Sequence, residues 1–462
     1  MPCRDVQCVR SDGLRITMMI VSFATVFRGV CTAGVLTVST SSVAAPLLTW
    51  KDATPSALAP FAGQVQPLAE LAQHHMVMFQ HSPQSVQIPH QSGVKRFDQA
   101  RFQTAAVIIN ATPEQIKQTL SQHNQYVGLF PTLTHAKVLQ HQRNIQQVKY
   151  SIHVPIPIPL LSFKEDVVMQ HQLDDHSLST LVIDSPIQYG QGKFEWFALP
   201  NKQTLVTLTQ WGDLNTPKGF IVSTIFKAMP EIKQGIPVGV NGFVLESLRQ
   251  RFNKTTLDAC ETSKCTPQLT LPEDQWTWAQ KYSEKTQAPV IFVHEPVGRR
   301  VAGKLDPIRF VSAVDTLDAP ISTVQPLMSD PRFFAKTMRQ IRKVDIKPQP
   351  NFTDATFHVG LGLGIISIPF KLDMRYEQDT PQSIRYRVIG GDIDFMQGRM
   401  AFAPAGHRTR IVMTTAGKVG DNDPFLLRIG RALPYSDFLS SLGSLPVLLG
   451  KADRYVRDQP KS

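Results

Sequence analysis

Few positions in this 462-residue chain combine residue type and spacing in a way that could do chemistry. The first is Glu165, within Phe163-Lys164-Glu165-Asp166. Strand alternation puts Phe163, Glu165 and Val167 on one face and Lys164, Asp166 and Val168 on the other. A carboxylate on an apolar wall is costly unless it is paired, protonated or close to the mouth. Glu165 is therefore either a polar anchor or acid/base for a bound molecule, or a rim residue satisfied by its neighbours. Tyr150, on the preceding strand with Val148, Ile152 and Val154, adds an inward hydroxyl. His153 and His358 fall on the opposite, polar faces of their strands, which points them to solvent rather than to catalysis.

Other chemistries lack their signatures. There is no His-Glu-x-x-His, no phosphate-binding Walker loop and no Gly-x-Ser-x-Gly, and the 13 histidines show no metal-ligand spacing, so no metal or cofactor is expected. Gly360, Gly362 and Gly364 are spaced by two, which does not fit a dinucleotide-binding turn. Together with Pro155-Ile156-Pro157-Ile158-Pro159 they suggest a loosely paired strand end and a loop over a cavity mouth.

Residues 1–44 have the character of a cleaved signal peptide, with Ser42-Val43-Ala44-Ala45-Pro46 as the processing site and the cut after Ala44. Arg28 interrupts the apolar region. Translation from Met18 or Met19 would make it the basic flank of Gly29–Val38; an uncleaved anchor is the alternative. Removing this segment lowers the formal charge from +11 to about +9 and takes away Cys3, Cys8 and Cys31. The remaining pair, Cys260 and Cys265, fits a local disulfide in an exported, periplasmic or secreted protein. Hydrophobic residues at 42% and charged residues at 18% exclude a disordered chain, and Arg28 within the one long apolar stretch excludes a polytopic membrane protein.

The elements that must position these residues are written twice. Ala111-Thr112-Pro113, Lys137-Val138, His153–Pro159 and Lys227–Pro230 recur as Asp318-Ala319-Pro320, Lys343-Val344, His358–Gly364 and Arg431–Pro434, in order and about 206 residues apart. Each copy is expected to hold a strand, a helix opened by Thr112, Pro113 and Gln115 in the first copy, a short helical piece, six strands and a Pro-interrupted closing helix. The first copy spans 101–257 and the second 305–458. Residues 45–100 form a lead-in with one helix, Val65–His75. Residues 258–304 form a connector holding the cysteine pair.

This order resembles the START-like, helix-grip fold. The residues that carry the resemblance are Ala111 through Pro131, Gly192 through Pro200 and Thr204–Thr209, then Asp318 through Phe334 and Gly398 through Thr414. Each copy is similar to members of the polyketide cyclase/dehydrase, coenzyme Q-binding and lipid-transfer superfamily called SRPBCC. The resemblance implies an α+β chain of two tandem helix-grip domains, each a curled antiparallel sheet around its C-terminal helix and an apolar cavity. Face alternation assigns the walls: Tyr150, Phe163, Glu165, Phe194, Trp196, Val206 and Leu208 in the first copy, and Phe357, Phe370, Leu372, Phe402 and Met413 in the second, with Glu165 standing where the second copy has Leu372.

The expected function is binding or transfer of a hydrophobic small molecule such as a lipid, quinone or isoprenoid, without catalysis. The alternatives are a cyclase/dehydratase-type enzyme with Glu165 and Tyr150 in acid/base roles, and a non-catalytic envelope interaction protein. Basic residues cluster at Arg332, Lys336, Arg339, Arg342, Lys343 and Lys347, and suit an anionic membrane surface better than nucleic acid.

Overall fold

The computed structural model describes residues 46–155, 162–218, 223, 226–227, 232–253, 258–259, 266–301, 303–363, 366–420 and 434–458. The proposed signal segment and the Cys260/Cys265 pair lie outside them. An entry segment comes first: α1 (Val65–Leu71), β1 (His75–Gln80) and the hairpin of β2 (Gln84–His90) and β3 (Gly93–Ala100). The first grip follows with β4 (Gln103–Ile109), α2 (Pro113–Ser121) and α3 (Tyr126–Leu129). Its meander is β5 (Leu133–Gln142), β6 (Ile145–Pro155), β7 (Ser162–Leu173), β8 (Ser177–Asp184), β9 (Gly190–Leu199) and β10 (Gln203–Gly212), closed by α4 (Ile232–Phe252).

The second half repeats this plan. Its entry is β11 (Asp258–Ala259), α5 (Glu273–Thr286), β12 (Val290–His294), β13 (Val297–Val301) and β14 (Lys304–Ile308). Its grip is β15 (Val311–Leu317), α6 (Ile321–Ser329), α7 (Arg332–Thr337), β16 (Ile341–Pro348), β17 (Phe352–Leu363), β18 (Ile366–Thr380), β19 (Ser383–Gly391), β20 (Phe395–Ala405), β21 (Arg408–Lys418) and α8 (Ser436–Arg457). The meander strands fall where hydrophobic alternation places them and α2 where the helix-start signature does, and α4 and α8 lie within the expected Pro-interrupted closing regions. In α2 the Gln115 N–H donates to Thr112 Oγ1 (3.4 Å) and the Thr112 N–H to Gln115 Oε1 (2.9 Å), satisfying two orphan donors of the first turn.

The chain is α+β, two tandem helix-grip repeats, each a curled antiparallel meander followed by its closing helix. The halves share one sheet. Among the described residues its sixteen strands run β16-β17-β18-β19-β20-β21-β15-β12-β1-β4-β10-β9-β8-β7-β6-β5. Where the sequence suggests one helix and an extended run for 45–100, the entry segments instead supply the two central strands. β1 bridges β4 and β12, and β12 bridges β1 and β15. Both faces of the centre are covered. Met76 and Met78 join an inner core that runs beneath α4 and α8 through both halves. Val77 and Phe79 join an outer core under α1 and α5. Strands covered on both sides lose the polar alternation of a half-exposed sheet, so β1 carries no clean period-two signal.

A motif marks the duplicated entry: Phe79-Gln80-His81-Ser82-Pro83 and Phe292-Val293-His294-Glu295-Pro296. The His81 Nε2 is 2.7 Å from Thr104 Oγ1, which is 2.7 Å from Thr209 Oγ1. His294 Nε2 is likewise 2.7 Å from Ser312 Oγ, and that is 2.6 Å from Thr414 Oγ1. Each chain ties three strands together through buried polar groups that satisfy one another. Burial lowers His81 to about 4, and burial with the neighbouring His75 lowers His294 to about 3, so both imidazoles are neutral at pH 7.

Residues 46–57 cross the outer face of the first meander as a strap. Leu48 exchanges two backbone–amide hydrogen bonds with the Gln170 side chain (both 2.9 Å). The Trp50 indole N–H donates to Gln191 Oε1 (3.0 Å), Asp52 meets Lys193 at 3.5 Å, and the Ala57 N–H donates to Glu195 Oε2 (2.7 Å).

On the inner side α4 and α8 pack antiparallel. Gly235 lies against the Gly443 backbone and Gly242 against Leu442. Asn241 fixes α4 to the sheet by donating to the carbonyls of Gln103 (2.9 Å) and Leu208 (3.4 Å). A buried ion cluster joins the halves: Glu246 contacts Arg249 (2.9 Å) and Arg309 (2.7 Å), and Arg309 reaches Asp437 (3.5 Å). Burial alone would raise the Glu246 carboxyl, but the two guanidiniums hold it below the usual carboxylate range.

Two expectations change in detail. The Gly360–Leu363 run is not a loose end: it is laddered to β18, with Gly360 opposite Pro369 and Leu363 opposite Ile366. Between the equivalent pairs Ile152–Glu165 and Val359–Phe370 the first half also holds two residues more. Ile152 pairs with Glu165 while Val359 pairs with Phe370, so the counterpart of Glu165 is Phe370 rather than Leu372. A slip of two leaves every face unchanged.

Candidate functional site

The inner face of the first meander carries a buried polar cluster. Tyr150 projects from β6, His171 from β7, and His123 from the 3₁₀ turn between α2 and α3. The Tyr150 hydroxyl is 2.9 Å from His171 Nε2 and 3.1 Å from His123 Nδ1. His171 Nδ1 is 2.9 Å from Thr180 Oγ1. The two imidazoles stack with centroids 4.3 Å apart, and the Tyr126 ring lies parallel to that of Tyr150 at 5.8 Å. The hydroxyl has one proton, so it donates to one imidazole and accepts from the other.

Burial sets the charge states. His123 is lowered to about 4, and burial plus the neighbouring His123 takes His171 well below its ordinary value. Burial and then the adjacent Tyr126 raise Tyr150 well above the ordinary phenol. At neutral pH the cluster is uncharged, a hydroxyl–imidazole network able to orient a polar group or to relay a proton inside an apolar shell. Among the described residues the second half has no such network. By register, Phe357 and Tyr376 stand in the places of Tyr150 and His171, and Tyr376 and Tyr386 lie 5.9 Å apart. A side chain at Gly398 would collide with the Tyr386 ring.

The residues assigned to the walls by alternation separate as follows. Tyr150, Phe194, Trp196, Val206 and Leu208 are buried on the inner face of the first half; Phe357, Leu372, Phe402 and Met413 are buried on that of the second. Phe370 and Glu165 are half-buried. Phe163 holds its place in β7, but its side chain is outside the described residues. Among the described residues Glu165 makes no hydrogen bond or ion pair, and it is removed from the Tyr150 network by its register opposite Ile152. His153 and His358 lie on the outer face; His358 meets Asp345 at 2.8 Å. In the basic group, Arg332 pairs with Asp330 (2.9 Å) and Lys343 with Asp345 (2.7 Å).

A second feature escapes sequence reading. A cleft of about 810 Å³ opens where the ends of β1, β4 and β15 meet α5 on one side and α4 and α8 on the other. Its walls mix Trp211, Val238, Ile291 and Pro446 with charged groups. Asp315, 6% exposed, lies on it. Burial, with the nearby Asp453 carboxyl, raises Asp315 to about 7. The alternation of Val311, Ala313, Asp315 and Leu317 was the available signal: a carboxylate on an otherwise apolar face.

No family model and no curated protein matches the chain. Solved structures to which it is similar include the di-domain ARO/CYC BexL from the BE-7585A biosynthetic pathway, at 11% identity over 78% of this chain and 100% of that one, with a TM-score of 0.25. The di-domain ARO/CYC StfQ from the steffimycin biosynthetic pathway is 8% identical over 77% and 99%, with a TM-score of 0.23. A STAR-related lipid transfer protein fragment from Xanthomonas axonopodis is 14% identical over 37% and 95%, with a TM-score of 0.27.

Proposed function

We propose that this is an exported protein that binds or transfers a hydrophobic small molecule, a lipid, quinone or isoprenoid, in the grip of its first half. The observation that supports this reading is the Tyr150–His123–His171 network. It is a neutral polar anchor set into an apolar inner face, the combination that fixes the orientation of a mostly greasy guest. Burial of the guest supplies the driving force, about 25 cal/mol per Å² of apolar surface, and the hydroxyl selects a guest with one hydrogen-bonding end. Cleavage after Ala44 would leave the strap at the start of the mature chain.

Native mass spectrometry of the exported protein, followed by solvent extraction, tests the reading. A co-purifying apolar molecule is expected, with Tyr150→Phe reducing its occupancy about tenfold, roughly the loss of one buried hydrogen bond. An unchanged occupancy in Tyr150→Phe, or a protein that neither retains nor takes up lipid extract, overturns it.

One observation favours a second reading, a cyclase/dehydratase-type enzyme. The Tyr150 hydroxyl and the His171 imidazole, 2.9 Å apart, set a hydrogen-bond donor and a proton acceptor side by side. Turnover of an aromatic polyketide that is lost in Tyr150→Phe and His171→Gln would support this reading over simple carriage.

A further inference from the structure

The central cleft is separate from the Tyr150 network, and its electrostatics differ. Asp315 replaces an apolar residue: the first half has Val107 at the equivalent point of β4. Asp315 Oδ1 accepts the Thr316 N–H (2.8 Å). Among the described residues Oδ2 has no partner, although the side chain is more than nine-tenths buried and borders the cleft. The cations around it are engaged elsewhere. Arg457 is held by Asp453 at 2.5 Å on α8, and Arg408 by Glu284 of α5 at 3.3 Å. Arg101 donates to the Thr286 carbonyl at 3.0 Å, and Lys233 to Asn215 Oδ1 at 3.3 Å. The Asp453 carboxyl adds to the negative field and accepts the Asp318 N–H (3.2 Å), and Asp318 also lines the cleft.

A buried carboxylate without a cation is expensive, and here it borders a space large enough for a small organic molecule. We propose that the cleft is a second binding site, for an amphipathic amine whose ammonium group pairs with Asp315 while its apolar body lies against Val238, Ile291, Pro446 and Trp211. An ammonium is favoured over an anion because the walls carry more carboxylates than basic groups, and of the basic groups Arg408 and Arg457 are already paired with Glu284 and Asp453. When the ammonium binds, Asp315 gives up its proton to solvent, so ligand capture and proton release are linked. Of the charged groups that line the cleft, Asp453 of α8 acts on Asp315 directly; Arg457, Arg408 and Asp318 line the same cleft, and both guanidiniums are paired with carboxylates. None of them supplies a free cation in competition.

The test is calorimetry on the full exported chain with decylamine, decanoate and decanol, each below its micelle concentration. At pH 8 decylamine should bind saturably and about tenfold more tightly than either of the others. At pH 7 its heat should vary with buffer ionisation, reporting the released proton. Asp315→Asn should lower decylamine to the level of decanol and leave decanol unchanged. Asp315→Val, which installs the residue of the first half, should behave alike, so a folding defect in one variant does not remove the test. Decanoate binding as tightly as the amine, equal amine affinity in the wild type and both variants, or heats independent of buffer would each overturn the assignment. The Tyr150→Phe protein should bind decylamine normally, which keeps this site apart from the grip.

Discussion

At position 315 the second half holds a carboxylate where the first half has Val107, and the exchange has a cost that pH exposes. Burial and Asp453 raise Asp315 from 3.8 to about 7. Between those values the folded protein keeps a proton that the unfolded chain has released. Stability is therefore lost as pH climbs through this window and levels off above pH 7. The loss is on the order of 4 kcal/mol, from about 1.4 kcal/mol per unit. Asp315→Asn escapes it. Urea unfolding should find the variant equal to the wild type near pH 4 and clearly more stable at pH 8; parallel curves at both values would contradict this. At this scale the sequence was partly readable. Tyr150 follows from the alternation of one strand, because its neighbours at 148 and 152 are aliphatic. His123 and His171, 48 positions apart in the chain, have no local pattern that joins them. Only the fold brings their rings to 4.3 Å.

The elements were the most legible level. The Thr112 cap, the meander and the closing helices follow from period, cap and breaker signals, because each depends on contacts within a few residues. The register of β7 against β18 did not follow, since two residues more between the equivalent pairs shift the copies without disturbing the pattern of either strand. The crossing of α4 and α8 depends on small residues. A Cβ on Gly235 would come within 2.5 Å of the Gly443 carbonyl oxygen, which is backbone and cannot swing aside. Gly235→Ala should therefore destabilise the protein by about 1–3 kcal/mol, although alanine is the better helix former. Chemical denaturation would measure it; a gain in stability would show that the helices can separate at little cost.

The whole molecule is where sequence reading stopped short. The duplication is visible in the sequence from the nearly constant offset, but the entry strands are not. Strands covered on both faces carry no alternation, and β1 and β12 find each other across more than 200 residues. The paired Phe-x-His-x-Pro motifs were the clue. β1 and β12 join the halves edge to edge, with Met78 opposite Ile291, its own repeat counterpart. Residues 46–257 expressed alone would leave β1 as an open edge flanked by apolar surface. Such a fragment should run as a dimer on size exclusion, and Met78→Pro, which blocks strand pairing, should shift it toward monomer. A monomeric fragment without the substitution would count against the edge as the joining element.

That central pairing bears on how far the halves can differ. Because Met78 faces the residue that repeats it, a local two-fold axis passes between the two strands, the self-complementary geometry by which identical subunits associate. Two separate single-grip chains of this sequence plan would meet through this same strand, and the covalent link makes the association permanent. Partners that are covalently joined need not be alike. One can keep a tyrosine between two imidazoles, and the other can hold an acid at an aliphatic position.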